Sequence, residues 1–171
     1  MKCCFLDLDG VLNQYHLSKP WTRPDGSIQE PVQGTTNEWG ATTGFDYDKV
    51  ERLNKCFDNS DWSIVISSSW YLTTRTLQAL TAYGFRHCHR IVGETVRRKS
   101  GRGAQIFQFV DCHPRITDFI TIEDEGHDIT GNHKSVTDEM RKRWEGKFFS
   151  PNPYEGLQDE LMLEIIERIR A

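Results

Sequence analysis

Short apolar runs alternate along this chain with longer segments in which apolar residues recur every three or four positions. The short runs predict strands buried on both faces, and the longer segments predict amphipathic helices. The predicted strands are residues 2–6, 63–66, 90–93, 119–122 and 147–149, and the predicted helices are residues 46–59, 73–83, 103–110, 136–144 and 157–170. Because alternating strands and helices form parallel βαβ units, we expect a layered α/β fold with a mainly parallel sheet of about five strands.

The segment from residue 13 to residue 45 interrupts this alternation. It is rich in Pro, Gly, Ser, Thr and Asn, contains four aromatic residues and has no clear period. Loops of this length in compact domains usually serve a function. We therefore predict a flap inserted after the first strand, with a small hairpin near residues 28–32.

The composition limits the kind of protein. The chain has 171 residues, of which 37% are hydrophobic and 27% charged, which favours one globular domain over residues 1–171. The net charge of −4 gives no general attraction to nucleic acid or to a membrane. No apolar stretch approaches membrane-spanning length, the N-terminus lacks a signal-peptide pattern, and five scattered cysteines fit a reduced compartment. We expect a cytoplasmic protein with no membrane partner, and the sequence indicates no oligomeric state.

Polar residues follow three of the predicted strands at the points where those strands end. Asp7 and Asp9 follow the first strand, a serine run from Ser67 follows the second, and Glu123 and Asp124 follow a later one. Ligands of parallel α/β sheets bind where the carboxyl ends of the strands emerge. The sequence therefore predicts a phosphate and metal site at this edge.

Paired carboxylates at such an edge favour phosphoryl transfer. One carboxylate can attack phosphorus and form an aspartyl-phosphate, while a second protonates the leaving oxygen and later deprotonates water. Oxygen ligands suit Mg²⁺, and Asp7, the backbone carbonyl of Asp9 and Asp124 would form such a set. Glu123 is a further candidate ligand. Asp128, four residues after Asp124, could bind the ion or orient its ligand.

A bound phosphate also needs hydrogen-bond donors and a positive charge. Ser67 offers a hydroxyl and a backbone N–H, and Ser68 and Gly10 extend the predicted phosphate-binding set, although the serines could simply cap the following turn. Arg102, at the start of a predicted helix, is placed to balance the charge of nucleophile and phosphoryl group, and Lys99 competes for this role. Nearby Trp70 is predicted to pack rather than to contact a substrate.

Four motifs, in this order, resemble those of the haloacid dehalogenase (HAD) superfamily, which consists mostly of Mg²⁺-dependent phosphatases. They are Asp7-Leu8-Asp9-Gly10-Val11, Ile64-Val65-Ile66-Ser67, Lys99 or Arg102, and Glu123-Asp124-Glu125-Gly126-His127-Asp128, in which Glu replaces the usual Gly. The resemblance implies a three-layer Rossmann-like fold, with Asp7 as the nucleophile and Asp9 as the general acid and base. It also disfavours a carbon–halogen substrate, since the dehalogenase branch lacks the second Asp.

Three runs resemble, more narrowly, a subgroup of small HAD domains attached to RNA-repair proteins. They are Asp9-Gly10-Val11-Leu12-Asn13, Ser67-Ser68-Ser69-Trp70 and Arg102-Gly103. The insertion is too short for the cap domain of larger relatives, so the resemblance implies a minimal cap and an open site. Such a site would admit a bulky end group, and we expect a 3′-phosphate on RNA or DNA, or a nucleotide, as the substrate.

Two alternatives remain open. The chain could be a small-metabolite phosphatase closed by oligomerisation, or a non-catalytic phosphate- or nucleic-acid-binding module on a HAD scaffold. The intact acids Asp7, Asp9 and Asp124 argue against a binding module, which needs no acid or base. The segment from residue 86 to residue 102 carries six basic residues against one acid, which indicates either a nucleic-acid groove or a solvated face. Its basic members are Arg86, Arg90, Arg97, Arg98, Lys99 and Arg102.

Overall fold

The computed structural model describes residues 1–13, 45–96, 101–126, 129 and 137–171, together with the backbone of residues 21–22 and 28–29. Five parallel strands form one sheet: β1 (Lys2–Leu6), β4 (Ser63–Ile66), β5 (Ile91–Glu94), β6 (Asp118–Ile122) and β7 (Phe148–Phe149). Two short strands, β2 (Trp21–Thr22) and β3 (Ile28–Gln29), pair antiparallel. The helices are α1 (Tyr47–Phe57), α2 (Thr74–Ala82), α3 (Arg102–Cys112), α4 (Asp138–Arg143) and α5 (Asp159–Arg170), with a 3₁₀ helix at Cys88–Arg90.

The strand order β5-β4-β1-β6-β7 confirms the predicted α/β fold with a parallel sheet. After β1, the chain adds β4 and then β5 on one side of β1. It then crosses to the other side of β1 and adds β6 and β7. The carboxyl end of β1 therefore lies at the point where the strand order reverses, which is where open α/β sheets bind their ligands. Residues that follow β1, β4 and β6 all reach this edge.

The two faces of β1 belong to two separate cores, as its uninterrupted apolar sequence predicts. Cys4 and Leu6 pack in a core with residues of α1, α2 and α5. Cys3 and Phe5 pack in a core with residues of α3 and with Trp144, at the end of α4. The sheet is thus covered by helices on both faces, which confirms the three-layer arrangement.

The insertion after β1 is described only at β2 and β3. Their antiparallel pairing overlaps the hairpin predicted near residues 28–32 only at β3, since β2 begins seven residues before that region. The rest of the predicted flap lies outside the described residues. None of the helices within the described ranges has the length and apolar character needed to span a bilayer.

Candidate active site

At the carboxyl edge of the sheet, backbone hydrogen bonds between neighbouring strands continue one residue past the ends of β1, β4 and β6. The Asp7 N–H donates to the Ile122 carbonyl at 3.0 Å, and the Ser67 N–H donates to the Leu6 carbonyl at 2.8 Å. The Glu123 N–H donates to the Phe149 carbonyl at 3.1 Å. The polar residues that follow the strands are therefore anchored to a rigid edge.

Three carboxylates from two strand ends meet at this edge, and we call Asp7, Glu123 and Asp124 the carboxylate cluster. One oxygen from each lies within 4.8 Å of those of the other two. Asp7 and Glu123 are 4% and 1% exposed, and both carboxylate oxygens of Asp124 are buried. These three predicted metal ligands are thus brought together, because adjacent parallel strands β1 and β6 end side by side.

Gly10 makes the close approach of Asp124 possible. Its φ angle of +67° lies in the left-handed region, and a Cβ atom placed on it would overlap the Asp124 carboxylate. Gly10 therefore has a steric role at this site that its sequence position did not reveal. Its predicted contact with a phosphate stays a prediction.

Arg102 supplies positive charge to the carboxylate cluster. Its Nε lies 3.1 Å from Glu123 Oε2, and its Nη2 lies 3.9 Å from Asp7 Oδ1. Arg102 is the first residue of α3, and the next residue, Gly103, packs so closely on Trp144 that a Cβ there would lie 2.7 Å from the indole ring. This packing fixes the start of α3 and so places the guanidinium beside the predicted nucleophile.

The charges of the carboxylate cluster are only partly balanced. Burial raises the pKa of Asp7, while the Arg102 guanidinium and a hydrogen bond from Ser68 oppose the shift. Burial and the charge of Asp7 raise the pKa of Glu123 well above its usual value. Burial, together with the charges of Asp7 and Glu125, raises the pKa of Asp124 to about 7. Ionisation of all three carboxyl groups beside the Arg102 guanidinium is therefore unfavourable.

The oxygen atoms of the carboxylate cluster fit a hard divalent cation. Asp7 Oδ1 and both carboxylate oxygens of Asp124 accept no hydrogen bond from any described residue, although all three are buried. Buried polar atoms normally have a partner, so three buried oxygens without one, on two carboxylates of the cluster, indicate a place for a ligand. Carboxylate oxygens are the donors that Mg²⁺ uses in proteins. The carboxylate cluster could therefore bind a metal ion.

Asp9, in contrast, has its carboxylate surrounded by donors. Asp9 Oδ2 accepts hydrogen bonds from Trp70 Nε1 at 2.8 Å and from the Ser69 hydroxyl at 3.1 Å. Asp9 Oδ1 accepts a hydrogen bond from Asn13 Nδ2 at 3.0 Å, and Asn13 Oδ1 in turn accepts from the Gly10 N–H at 2.8 Å. The Asp9 carboxylate is thus held by its own set of donors, and the predicted metal contact through its backbone carbonyl stays a prediction.

Trp70, Ser69 and Asn13 contact Asp9, and sequence analysis assigned none of them to the site. Trp70 packs in the core, as predicted, and is 7% exposed, but its indole N–H is also the closest donor to Asp9. The sequence signal was its place in the polar run that follows β4. Asn13 stands four residues after Asp9, a spacing typical of a side-chain bond across one turn.

The serine run needs one correction. The Ser67 N–H, predicted to bind phosphate, is already used by the Leu6 carbonyl, because the parallel ladder continues one residue past β4. The Ser67 side chain is fully buried and accepts a hydrogen bond from the Thr95 hydroxyl at 3.3 Å. Ser68 is the serine that contacts Asp7. A phosphate contact of either hydroxyl stays a prediction.

Other predicted residues fall elsewhere. Lys99 and Asp128 lie outside the described residues. In the basic segment, Arg86 donates to Glu51 at 2.7 Å and to Asp58 at 3.0 Å, so its charge is balanced within the protein. That pairing favours the solvated-face interpretation for this residue.

Comparison with known proteins places this site in a family. A family model described as the HAD domain in Swiss Army Knife RNA repair proteins matches residues 3–162, which include the five strands of the sheet except Lys2 of β1, and the whole carboxylate cluster. No curated protein matches the chain.

Proposed function

Because this chain belongs to the family of HAD domains in Swiss Army Knife RNA repair proteins, we propose that it hydrolyses phosphomonoesters through an aspartyl-phosphate on Asp7. The observation that carries the proposal is the environment of Asp7 Oδ1. This oxygen is buried, accepts no hydrogen bond from any described residue, and lies 3.9 Å from Arg102 Nη2, and Asp7 belongs to the same carboxylate cluster as Asp124. An oxygen in that position is available to attack phosphorus.

The reaction proceeds in two displacements. Asp7 Oδ1 attacks phosphorus, the bond from phosphorus to the ester oxygen breaks, and Asp9 gives a proton to the departing alkoxide. Asp9 then takes a proton from a water molecule, whose oxygen attacks the same phosphorus and releases inorganic phosphate and the Asp7 carboxylate. Two acids are required because attack and proton transfer occur at different atoms.

The negative charges that meet during these steps need compensation. Arg102 lies beside both Asp7 and Glu123 and can attract the phosphoryl oxygens without moving far. When bound at the carboxylate cluster, Mg²⁺ supplies the further positive charge that lets carboxylates and a phosphate dianion approach each other. Asp7, Asp124 and Glu123 are the described residues that would hold it.

We propose a phosphate at a polynucleotide end, and a 3′-phosphate first, as the substrate. The support is the family, whose description assigns these domains to RNA repair proteins. The experiment offers the protein equal concentrations of a 3′-phosphorylated oligonucleotide, its 5′-phosphorylated isomer, a nucleotide and a sugar phosphate. We expect phosphate release to be fastest from the 3′-phosphorylated oligonucleotide. Release from sugar phosphates alone would overturn the substrate and favour a metabolite phosphatase.

The activity itself is tested with p-nitrophenyl phosphate in Mg²⁺ and after treatment with EDTA. We expect turnover that EDTA removes and that added Mg²⁺ restores. Failure to hydrolyse this ester and all four substrates above would overturn the enzymatic proposal and favour a phosphate-binding module.

A further inference from the structure

We propose that Trp70 is a positioning residue that orients the Asp9 carboxylate for proton transfer. The indole N–H of Trp70 and the hydroxyl of Ser69 both donate to Asp9 Oδ2, at 2.8 and 3.1 Å. The inference rests on the proposed function, in which Asp9 is the acid and base. It adds a residue to that function which acts only through Asp9.

The hydrogen bonds around Asp9 determine which of its oxygens can exchange a proton. A carboxylate offers about four acceptor positions, two on each oxygen. Two donors occupy Oδ2, while among the described residues Asn13 alone donates to Oδ1. The described residues thus leave one acceptor position on Oδ1 unoccupied, and we assign to it the proton that passes to the leaving group and is later taken from water.

Trp70 is well suited to fix this orientation because it is itself held from two sides. Its ring packs on Phe45, with ring centroids 5.2 Å apart, and Phe45 packs in turn on Tyr83 at 5.7 Å. Its backbone N–H donates to the Ser68 hydroxyl at 3.2 Å. An indole N–H in a rigid ring donates in one direction only, so the donor stays aimed at Asp9.

The test compares two tryptophans at opposite ends of β4. Trp70→Phe removes the indole N–H and keeps an aromatic ring against Phe45. Trp62→Phe is the matched control, because Trp62 is also buried and its Nε1 donates at 3.1 Å to the Ile169 carbonyl, away from the site. Each variant loses one tryptophan hydrogen bond, and only one of the two bonds reaches Asp9.

The readout is the ratio of kcat/KM for an alkyl phosphate to kcat/KM for p-nitrophenyl phosphate. An alkoxide leaving group needs a proton, whereas p-nitrophenolate leaves without one. Since kcat/KM reports the steps up to departure of the leaving group, loss of Asp9 orientation should lower kcat/KM for the alkyl phosphate alone. The later attack of water, which also uses Asp9, is common to both substrates and does not enter this ratio. Since general acid catalysis contributes about 10²–10⁴-fold, we expect Trp70→Phe to lower the ratio by about tenfold or more, mainly through kcat. Trp62→Phe should leave the ratio as in the wild type.

Each outcome is decisive. An active wild type with the same ratio in Trp70→Phe would overturn the positioning role and leave the phosphatase proposal standing. A wild type inactive on both esters would overturn the phosphatase proposal and this inference with it. If Trp70→Phe fails to fold, Ser69→Ala replaces it, because it removes the other donor to Oδ2 and should lower the ratio in the same direction. An unchanged ratio in Ser69→Ala would then overturn the inference.

Discussion

The two ends of strand β6 carry carboxylates in opposite situations. At its start, Asp118 contacts Lys147 at 3.1 Å and Arg168 at 2.6 Å. Although partial burial opposes the shift, hydrogen bonds from Arg168 and Lys147 lower the pKa of Asp118. Just past its end, Glu123 and Asp124 have raised pKa values, with burial as the first cause.

Asp118 therefore carries a charge that is paired within the protein and stabilises the fold. Glu123 and Asp124 carry charges that a bound ligand would have to balance. The chain supplies two cations of its own at one end of β6, and both oxygens of Asp118 are used. At the other end, among the described residues, the Arg102 guanidinium pairs with Asp7 and Glu123, and both Asp124 oxygens lack a hydrogen-bond donor. A bound cation can offset such an excess of negative charge. The excess at the carboxylate cluster therefore indicates where a cation would bind.

The largest effect is expected from removing the proposed nucleophile. Asp7→Asn should lower turnover of p-nitrophenyl phosphate by on the order of 10³-fold or more, since no other described carboxylate occupies its position. It should also abolish trapping of the protein by beryllofluoride, which mimics a phosphoryl group on a carboxylate. Asp118→Asn is the matched control at the opposite end of the sheet and should retain both properties. Full activity of Asp7→Asn would remove this residue from its proposed role.

The next effect is stabilisation by Mg²⁺. A cation that binds only the folded state at a hundredfold excess over its Kd stabilises by about 2.7 kcal/mol, which raises Tm by several degrees. Because the pKa of Asp124 is raised to about 7, protons compete with the cation below that pH, and the increase in Tm should be larger at pH 8 than at pH 5. Scanning calorimetry with and without Mg²⁺ measures it, and an equal increase in Asp124→Asn would argue that the ion binds elsewhere.

A smaller effect concerns the metal-free protein. Asp124 has a folded pKa of about 7 against a usual 3.8, so between these values the folded state binds more protons than the unfolded state. Stability should therefore fall as pH rises through this window. Asp124→Asn removes the penalty and should stabilise the metal-free protein at pH 8, with little effect at pH 4. Urea unfolding in EDTA at both pH values decides this, and a variant less stable than the wild type at pH 8 would contradict it.

The sequence predicted those parts of the site that depend on local pattern. The apolar run before Asp7 and the one before Glu123 predicted where each strand ends, and parallel strands then bring these acids together. Arg102 was placed at a helix start because the spacing of Ile106, Phe107 and Val110 predicted a helix over residues 103–110. The ladder beyond β4 was not predictable, because an apolar run does not show whether the next N–H still pairs. That is why the Ser67 N–H was assigned wrongly.

Contacts between distant side chains were beyond the reach of sequence pattern. The bond from Trp70 to Asp9 joins residues 61 positions apart and depends on how the indole packs against Phe45. The pairing of Arg102 with Glu123 depends on how the start of α3 packs against Trp144. Gly103 permits this close packing because it has no side chain. In both cases the side-chain direction is set by packing in three dimensions.

The smallest effect is expected at the start of β6, and it completes the comparison. Asp118→Asn loses two partly exposed ion pairs, so it should destabilise the protein by about 1 kcal/mol at pH 7. Because the folded pKa of Asp118 is lowered, its contribution is present above the usual value and disappears as pH falls through the folded value. The destabilisation should therefore shrink below pH 4. As pH rises, Asp118→Asn becomes less stable relative to the wild type, whereas Asp124→Asn becomes more stable relative to it. If the two variants changed stability with the same pH trend, the division of β6 into a structural end and a functional end would be wrong.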